Sequence, residues 1–363
     1  MSLTLGTTKR GKLRLSDEER SWHIQVLGGS GRGKSSLLES MIRQDILAFR
    51  GLCLIDPHGN LADDIMAWCA SRQVYTARKI HVIDAADLEW SASFNPLRHD
   101  GVSDPSVRVD AMVAACAQVW GGEDPNRTPL LRKCLTAVFY ALTVHGLTLV
   151  EATELINSAD PHYVRRKLTE NLPDHVFQGL WQDFNHMKPS LFLEQFSSTS
   201  SRLNLFLKSP GIRRMLGQTS RCIDLKEIMD RGEILIVNLA SKNRLSPENV
   251  RLLGTLLTSE LFLLAVARDR DIAERRPFTH YIDECADFVT DDVERMLDQT
   301  RKFGLHVVLS HQRLSQLRRR SDAIHDAVLG GTHTKIVFGG LMDNDAEVMA
   351  KEVYRGSFQL ERA

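Results

Sequence analysis

Residues 23–42 read His23-Ile24-Gln25-Val26-Leu27-Gly28-Gly29-Ser30-Gly31-Arg32-Gly33-Lys34-Ser35-Ser36-Leu37-Leu38-Glu39-Ser40-Met41-Ile42, and they decide the fold. The first five form a short, largely apolar run of strand character. Gly28 to Ser35 then fits the pattern GxxxxGK[ST]. Beyond it, Leu37, Leu38, Met41 and Ile42 recur at helical spacing. Strand, glycine-rich loop and helix in that order are the setting a phosphate-binding loop requires. Glycines let successive backbone N–H groups turn inward around phosphate, and the helix N-terminus adds positive potential. The expected cradle is Gly28, Gly29, Ser30, Gly31, Arg32, Gly33, Lys34, Ser35 and Ser36. In it Lys34 would neutralise the β- and γ-phosphates of ATP, and the Ser35 hydroxyl would ligate Mg²⁺.

Such a loop needs an acidic partner on a neighbouring strand. Phe278-Thr279-His280-Tyr281-Ile282 is a buried-strand pattern that ends in Asp283-Glu284. Asp283 is the expected magnesium-side carboxylate, and Glu284 the group that orients and polarises the attacking water. A further run, Leu305–Leu309, leads to Ser310-His311-Gln312. Ligands in parallel sheets bind at the carboxyl ends of the strands, so Gln312 is the candidate γ-phosphate sensor.

Short apolar runs also occur at Leu52–Ile55, Ile80–Ile83, Ile234–Leu239 and Lys335–Phe338, with helical spacing between most of them. Strand and helix in alternation, with the P-loop, predict an α/β P-loop NTPase whose mostly parallel sheet is flanked by helices. From about Asp104 to Lys208 no strand pattern appears. Leu131, Leu135, Val138 and Leu142 fall at helical intervals, and Pro129, Pro161, Pro173 and Pro189 punctuate the stretch. The expected organisation is therefore a nucleotide-binding domain in two parts, 1–103 and 209–363, around an all-helical insertion at 104–208. Ser246-Pro247-Glu248 reads as a helix start.

Bulk properties fit a folded protein: 43% apolar and 25% charged residues, with a formal net charge of zero. That charge does not advertise nucleic-acid binding, although a groove needs only a local basic lining. The six cysteines show no metal or redox spacing and read as reduced thiols, Cys285 among them. No signal-peptide pattern opens the chain, and Leu252–Ala267 is read as a core helix. Asp56 and His58 stand at a strand's carboxyl edge, where they would make a turn or reach the nucleotide. Trp181 and Phe184 are read as core, and Arg318-Arg319-Arg320 as a solvated helix face.

Gly28–Ser35, Asp56-Pro57-His58-Gly59, Phe94-Asn95-Pro96-Leu97, Ile282-Asp283-Glu284 and Gln299-Thr300-Arg301-Lys302-Phe303-Gly304-Leu305 through Gln312 form an ordered set. The set resembles conjugative coupling ATPases of the TraG/TraD type, within the HerA–FtsK group of P-loop motors, from Trp22 to about Val353. The resemblance implies a RecA-like fold and a homo-hexameric ATPase of type IV secretion that binds ATP and Mg²⁺ and moves DNA without regard to sequence. Its implied partners are secretion-channel or relaxosome-like proteins. It also implies that Arg301 is an arginine finger reaching the neighbouring subunit's nucleotide, and that Gln312 is the sensor. Many coupling proteins begin with transmembrane helices, whereas this chain starts almost at the nucleotide-binding strand. The expected location is the cytoplasm, with partners or missing segments as the route to the inner face of the membrane. Two other readings share the same residues: a secretion ATPase that energises protein transport or assembly without gripping DNA, and a HerA-like ATPase partnered with a nuclease.

Overall fold

The computed structural model describes residues 2–90, 92–98, 104–121, 129–160, 162–240, 242, 244–268 and 275–354. The chain divides into two compact units, one made of residues 1–82, 225–238 and 264–363, the other of 83–224 and 239–263. The first unit carries the sheet expected from the apolar runs. All seven runs form strands: β3 (Ile24–Leu27), β4 (Gly51–Asp56), β5 (Ile80–Asp84), β6 (Ile234–Asn238), β7 (Phe278–Ile282), β8 (Leu305–His311) and β9 (Thr334–Val337). They hydrogen-bond in the order β5-β6-β4-β7-β8-β3-β9. The β3/β8, β3/β9, β4/β6, β4/β7 and β7/β8 ladders are all parallel. Every residue of β3, β4, β6, β7 and β8 is buried, as expected of central strands covered on both faces. The outer strands β5 and β9 are only partly covered. With its flanking helices this is the RecA-like P-loop architecture.

A small antiparallel hairpin precedes it, β1 (Leu3–Thr8) with β2 (Gly11–Leu15). Leu3 and Leu15 enter the same core cluster as Leu38, Met41 and Ile42 of the helix Lys34–Leu47. The Thr4 amide donates to Gln44 Oε1 at 2.8 Å, and the Gln44 amide returns a bond to the Thr4 carbonyl, also at 2.8 Å. The hairpin is thereby fixed to the helix that follows the glycine-rich loop.

A buried polar group joins that helix to β7. Arg20 lies in the last turn of a short helix (Asp17–Ser21) that Ser16 and Glu19 cap reciprocally. Its guanidinium forks onto Asp45, with Nη1–Oδ1 at 2.8 Å and Nη2–Oδ2 at 2.6 Å, and both side chains are almost fully buried. The Tyr281 hydroxyl donates to the same Asp45 Oδ2 at 2.6 Å. Burial and the Asp45 carboxylate hold the Tyr281 phenol well above its ordinary range, so it stays a donor.

The second unit is helical. Its longest elements are Pro105–Trp120, Pro129–Val144, His175–His186, Pro189–Leu207 and part of Pro247–Val266. Their starts are written in the sequence. Asp104 accepts from the Ser106 amide at 2.9 Å, Asp174 from Val176 at 2.7 Å, and Ser246 Oγ from Asn249 at 3.1 Å, while Pro189 opens its helix. Pro161 lies outside the described residues. Trp181 and Phe184 are core as read: Trp181 Nε1 donates to the Ala137 carbonyl at 3.1 Å, and both rings pack on Phe196.

This unit is wider than residues 104–208. The Phe94 amide bonds the Met215 carbonyl at 2.9 Å and the Ile223 amide the Ser93 carbonyl at 2.8 Å, which draws both flanking segments in. Arg108 Nη1 meets both Glu260 oxygens at 2.6 Å, so the helix Pro247–Val266 contributes too. These long-range ties have no local periodicity to announce them. The apolar Pro247–Val266 helix is largely buried, in keeping with a core helix.

Candidate active site

Gly28 leaves β3 at the carboxyl edge of the sheet, and the helix Lys34–Leu47 begins six residues later. The loop between them is pressed against the turn after β9. The Gly29 amide donates to the Gly339 carbonyl at 3.1 Å. A Cβ on Gly28 would stand 2.5 Å from Phe338 Cβ, and one on Gly29 would stand 2.7 Å from the Gly340 carbonyl oxygen. Neither contact can be relieved by a flexible side chain, so both positions are closed to any residue but glycine. Gly31 and Gly33 turn with φ of 69° and 103°, the left-handed region that glycine enters freely. Nothing in the local sequence announces Gly339 and Gly340 as a backing for the loop.

Lys34 is buried, and its Nζ donates to the Gly28 carbonyl at 2.8 Å and the Gly29 carbonyl at 3.3 Å. The ammonium thus lies across the mouth of the loop. Ser30, Arg32, Ser35 and Ser36 are exposed. Gly33 caps the helix with no side-chain hydrogen bond, so a polyanion would meet open N–H groups there.

Asp283 and Glu284 follow β7 at the same carboxyl edge. In the order β7-β8-β3 they stand two strands from the loop, a span of about 10 Å at ordinary strand spacing. Asp283 is 5% exposed, and among the described residues its buried Oδ1 has no hydrogen-bond partner. Burial pushes its carboxyl pKa up, with the Glu284 and Asp56 carboxylates adding to the effect and the Ser310 hydroxyl opposing it. An unpartnered, dehydrated carboxylate oxygen of this kind is suited to a cation. No cluster of three metal-ligating side chains exists among the described residues, so a cation here would rely on other ligands, phosphate oxygens above all.

Glu284 has left-handed backbone angles, φ 47° and ψ 50°. Its Oε1 accepts from Gln312 Nε2 at 2.6 Å. The two side chains that the sequence reading assigned to water activation and phosphate sensing are therefore in direct contact. Registry explains it: β7 and β8 pair Ile282 with Leu309, so both chains leave the sheet at nearly one level.

The residue before Gln312 is anchored inside the sheet by a contact not singled out from sequence. His311 Nδ1 donates to the Arg313 carbonyl at 3.1 Å, which leaves Nε2 to accept from the Gln25 amide at 2.9 Å. Burial lowers the His311 pKa to about 4, in keeping with a neutral ring. A polar Gln25 inside an otherwise apolar strand was the signal available.

Asp56 is occupied. Its two oxygens accept from the His58 and Ala62 amides at 2.8 and 2.9 Å, turning the chain into the helix Asn60–Ser71. That favours the turn role for Asp56, Pro57 and Gly59. Arg318 and Arg319 are exposed, whereas Arg320 pairs with Asp287 at 2.8 Å. Cys285 is buried, and its surroundings hold the thiol pKa well above the ordinary value.

Arg301 is not with the others. It precedes β8, whereas Gln312 follows it, so the seven residues of β8 separate the two along the strand, about 23 Å at ordinary rise. Arg301 therefore stands at the amino edge and cannot reach the loop of its own chain. There it donates from Nε to the Ser21 hydroxyl at 3.3 Å and lies over the Trp22 ring, 3.1 Å from its centroid.

Comparison with known proteins bears on the whole arrangement. Residues 277–353, which include β7, β8 and β9, match a family model described as the TraM recognition site of TraD and TraG. No curated protein sequence matches the chain. Among solved structures, the plasmid coupling protein TrwB in complex with ADP and Mg²⁺ is similar with a TM-score of 0.63 at 15% identity, covering 96% of this chain and 78% of that one. TrwB with the ATP analogue ADPNP gives 0.64 at 15% identity, over 92% and 74%. VirB4 of Thermoanaerobacter pseudethanolicus gives 0.59 at 14% identity, over 96% and 87%. The resemblance to TraG/TraD-type coupling ATPases thus stands on a family model over one segment and on a shared fold over nearly the whole chain.

Proposed function

We propose that this chain is the ATPase of a conjugative or type IV secretion coupling system, a homo-hexameric motor that hydrolyses MgATP between subunits to move DNA or a nucleoprotein. The observation that carries the proposal is the split of its groups between the sheet's two edges. At the carboxyl edge lie Lys34 with the glycine-rich loop, the unpartnered Asp283 oxygen, and Glu284 bound to Gln312. Those are a phosphate cradle, a cation contact and a carboxylate suited to hold water. At the amino edge lies Arg301, which is useful to catalysis only in another subunit's site. In this reading Ser35 and Asp283 hold Mg²⁺, Glu284 orients water, Gln312 reports the γ-phosphate to β8, and Arg301 stabilises charge in the neighbour. The similar TrwB structures hold ADP with Mg²⁺, or ADPNP, which supports nucleotide as the ligand. Partners of the relaxosome type follow from the description of the matching segment, the TraM recognition site of TraD and TraG.

A second reading, a secretion ATPase that energises protein transport without gripping DNA, draws on the likeness to VirB4 and on the zero net charge. One experiment separates them: ATPase rate titrated with single- and double-stranded DNA, read beside particle size. A rate raised by DNA of any sequence in a six-subunit particle is the expected result. DNA-independent turnover in an assembled particle favours the second reading, and undiminished turnover in Lys34→Ala overturns both.

A further inference from the structure

Three residues form a stack along the amino edge of the sheet. Arg301 lies on Trp22, 3.1 Å from the ring centroid, and Trp22 lies on His333, with centroids 4.4 Å apart and an interplanar angle of 11°. They come from three distant parts of the chain: Arg301 before β8, Trp22 before β3 and His333 before β9. Those strands are consecutive in the sheet, β8-β3-β9, so the stack follows the order of the strands that carry it. The backbone fixes its base, since the His333 amide donates to the Trp22 carbonyl at 3.0 Å.

The arrangement leaves Arg301 clamped on one face by Trp22 and on one edge by the Ser21 hydroxyl, which takes the Nε proton at 3.3 Å. Among the described residues neither Nη group has a hydrogen-bond partner. A guanidinium so held offers its two-pronged end outward, the end that pairs with phosphate. Stacking on tryptophan is the strongest of the cation–ring contacts, and it removes the rotamer freedom of a long side chain.

We infer that Trp22, braced by His333, is a positioning residue that holds Arg301 ready for the nucleotide of an adjoining subunit. The inference rests on the interfacial role proposed above for Arg301. Preorganisation of this kind acts on the rate of the bound complex and leaves nucleotide affinity alone.

The test compares Trp22→Ala, Trp22→Phe, Arg301→Ala and the double variant Trp22→Ala/Arg301→Ala as full-length chains. Steady-state ATPase rate is measured over a range of protein concentrations, and the Kd of a fluorescent ADP by titration. Trp22→Ala is expected to lower kcat roughly tenfold, the factor that about 1.4 kcal/mol represents, with the ADP Kd and KM unchanged. Trp22→Phe should recover most of the rate, because a ring face is restored. The double variant should be no slower than Arg301→Ala, because the tryptophan acts only through the arginine.

If Arg301→Ala loses turnover and Trp22→Ala does not, the positioning role falls and the finger stands. If Arg301→Ala turns over as wild type, the finger reading itself falls. If the two losses multiply in the double variant, Trp22 acts by another route and the inference is overturned. Should Trp22→Ala fail to fold, Trp22→Leu, which keeps bulk but has no ring face, and His333→Ala carry the same comparison, and wild-type kcat in both overturns it.

Discussion

Glu284 sits in a left-handed conformation that costs a non-glycine residue about 1–2 kcal/mol, and it spends that strain at the edge where the chemistry is proposed. The turn swings its carboxylate onto Gln312, at 2.6 Å. Glu284→Gln should therefore keep nucleotide binding while lowering turnover by about 10²–10⁴, the usual worth of a positioned base. A rate within a few fold of wild type would move the base elsewhere. Much of this site was legible in the residues. The spacing from Gly28 to Ser35, and two carboxylates ending an apolar run, name their own positions in any parallel sheet. The Glu284–Gln312 contact was not legible, because it depends on the registry of Ile282 against Leu309. Nor was the backing of Gly28 and Gly29 by Phe338 and Gly340, which lie some 300 residues away in sequence.

Among the elements, the most consequential joint is the one between the helix Lys34–Leu47 and β7. Arg20, Asp45 and Tyr281 close it, and Asp45 accepts from both partners. Removing one member of a buried ion pair leaves the other charge uncompensated, at about 3–5 kcal/mol. Asp45→Ala should lower the urea midpoint by that amount of stability, whereas Tyr281→Phe, which loses one hydrogen bond to the carboxylate, should cost about 1.5–3 kcal/mol. Equal midpoints for Asp45→Ala and wild type would show the joint to be dispensable. The seven sheet strands were readable because buried parallel strands are continuous apolar runs. The β1–β2 hairpin was not, since it buries only Leu3 and Leu15 and its other residues resemble a polar leader. Strand order also escaped, because nothing local in β6 says that it lies between β5 and β4.

The molecule as a whole carries an acid sensitivity. Burial lowers the pKa of His23, His280, His306 and His311 from 6.5 to about 4. All four rings are neutral when folded and take up protons more readily when unfolded. Their contribution to stability is complete above pH 6.5 and is lost as pH falls towards 4. The raised pKa values of Asp283 and Asp110 work in the opposite sense, but they are two groups against four. The urea midpoint should hold steady from pH 8 to 7 and decline progressively below 6.5, and a flat profile down to pH 4.5 would contradict the buried, neutral assignment. The two units differ in how they were legible: the helical one announced its interior but not its limits, since Phe94–Met215 and Arg108–Glu260 join segments with no common period. The separation of Arg301 from Lys34 by the length of β8 has one more consequence for the proposed motor. A lesion in Arg301 would spare the pocket of the chain that bears it and silence the one next door. In a cell making both damaged and intact copies, the defect would behave as dominant, poisoning rings that contain mostly healthy protein.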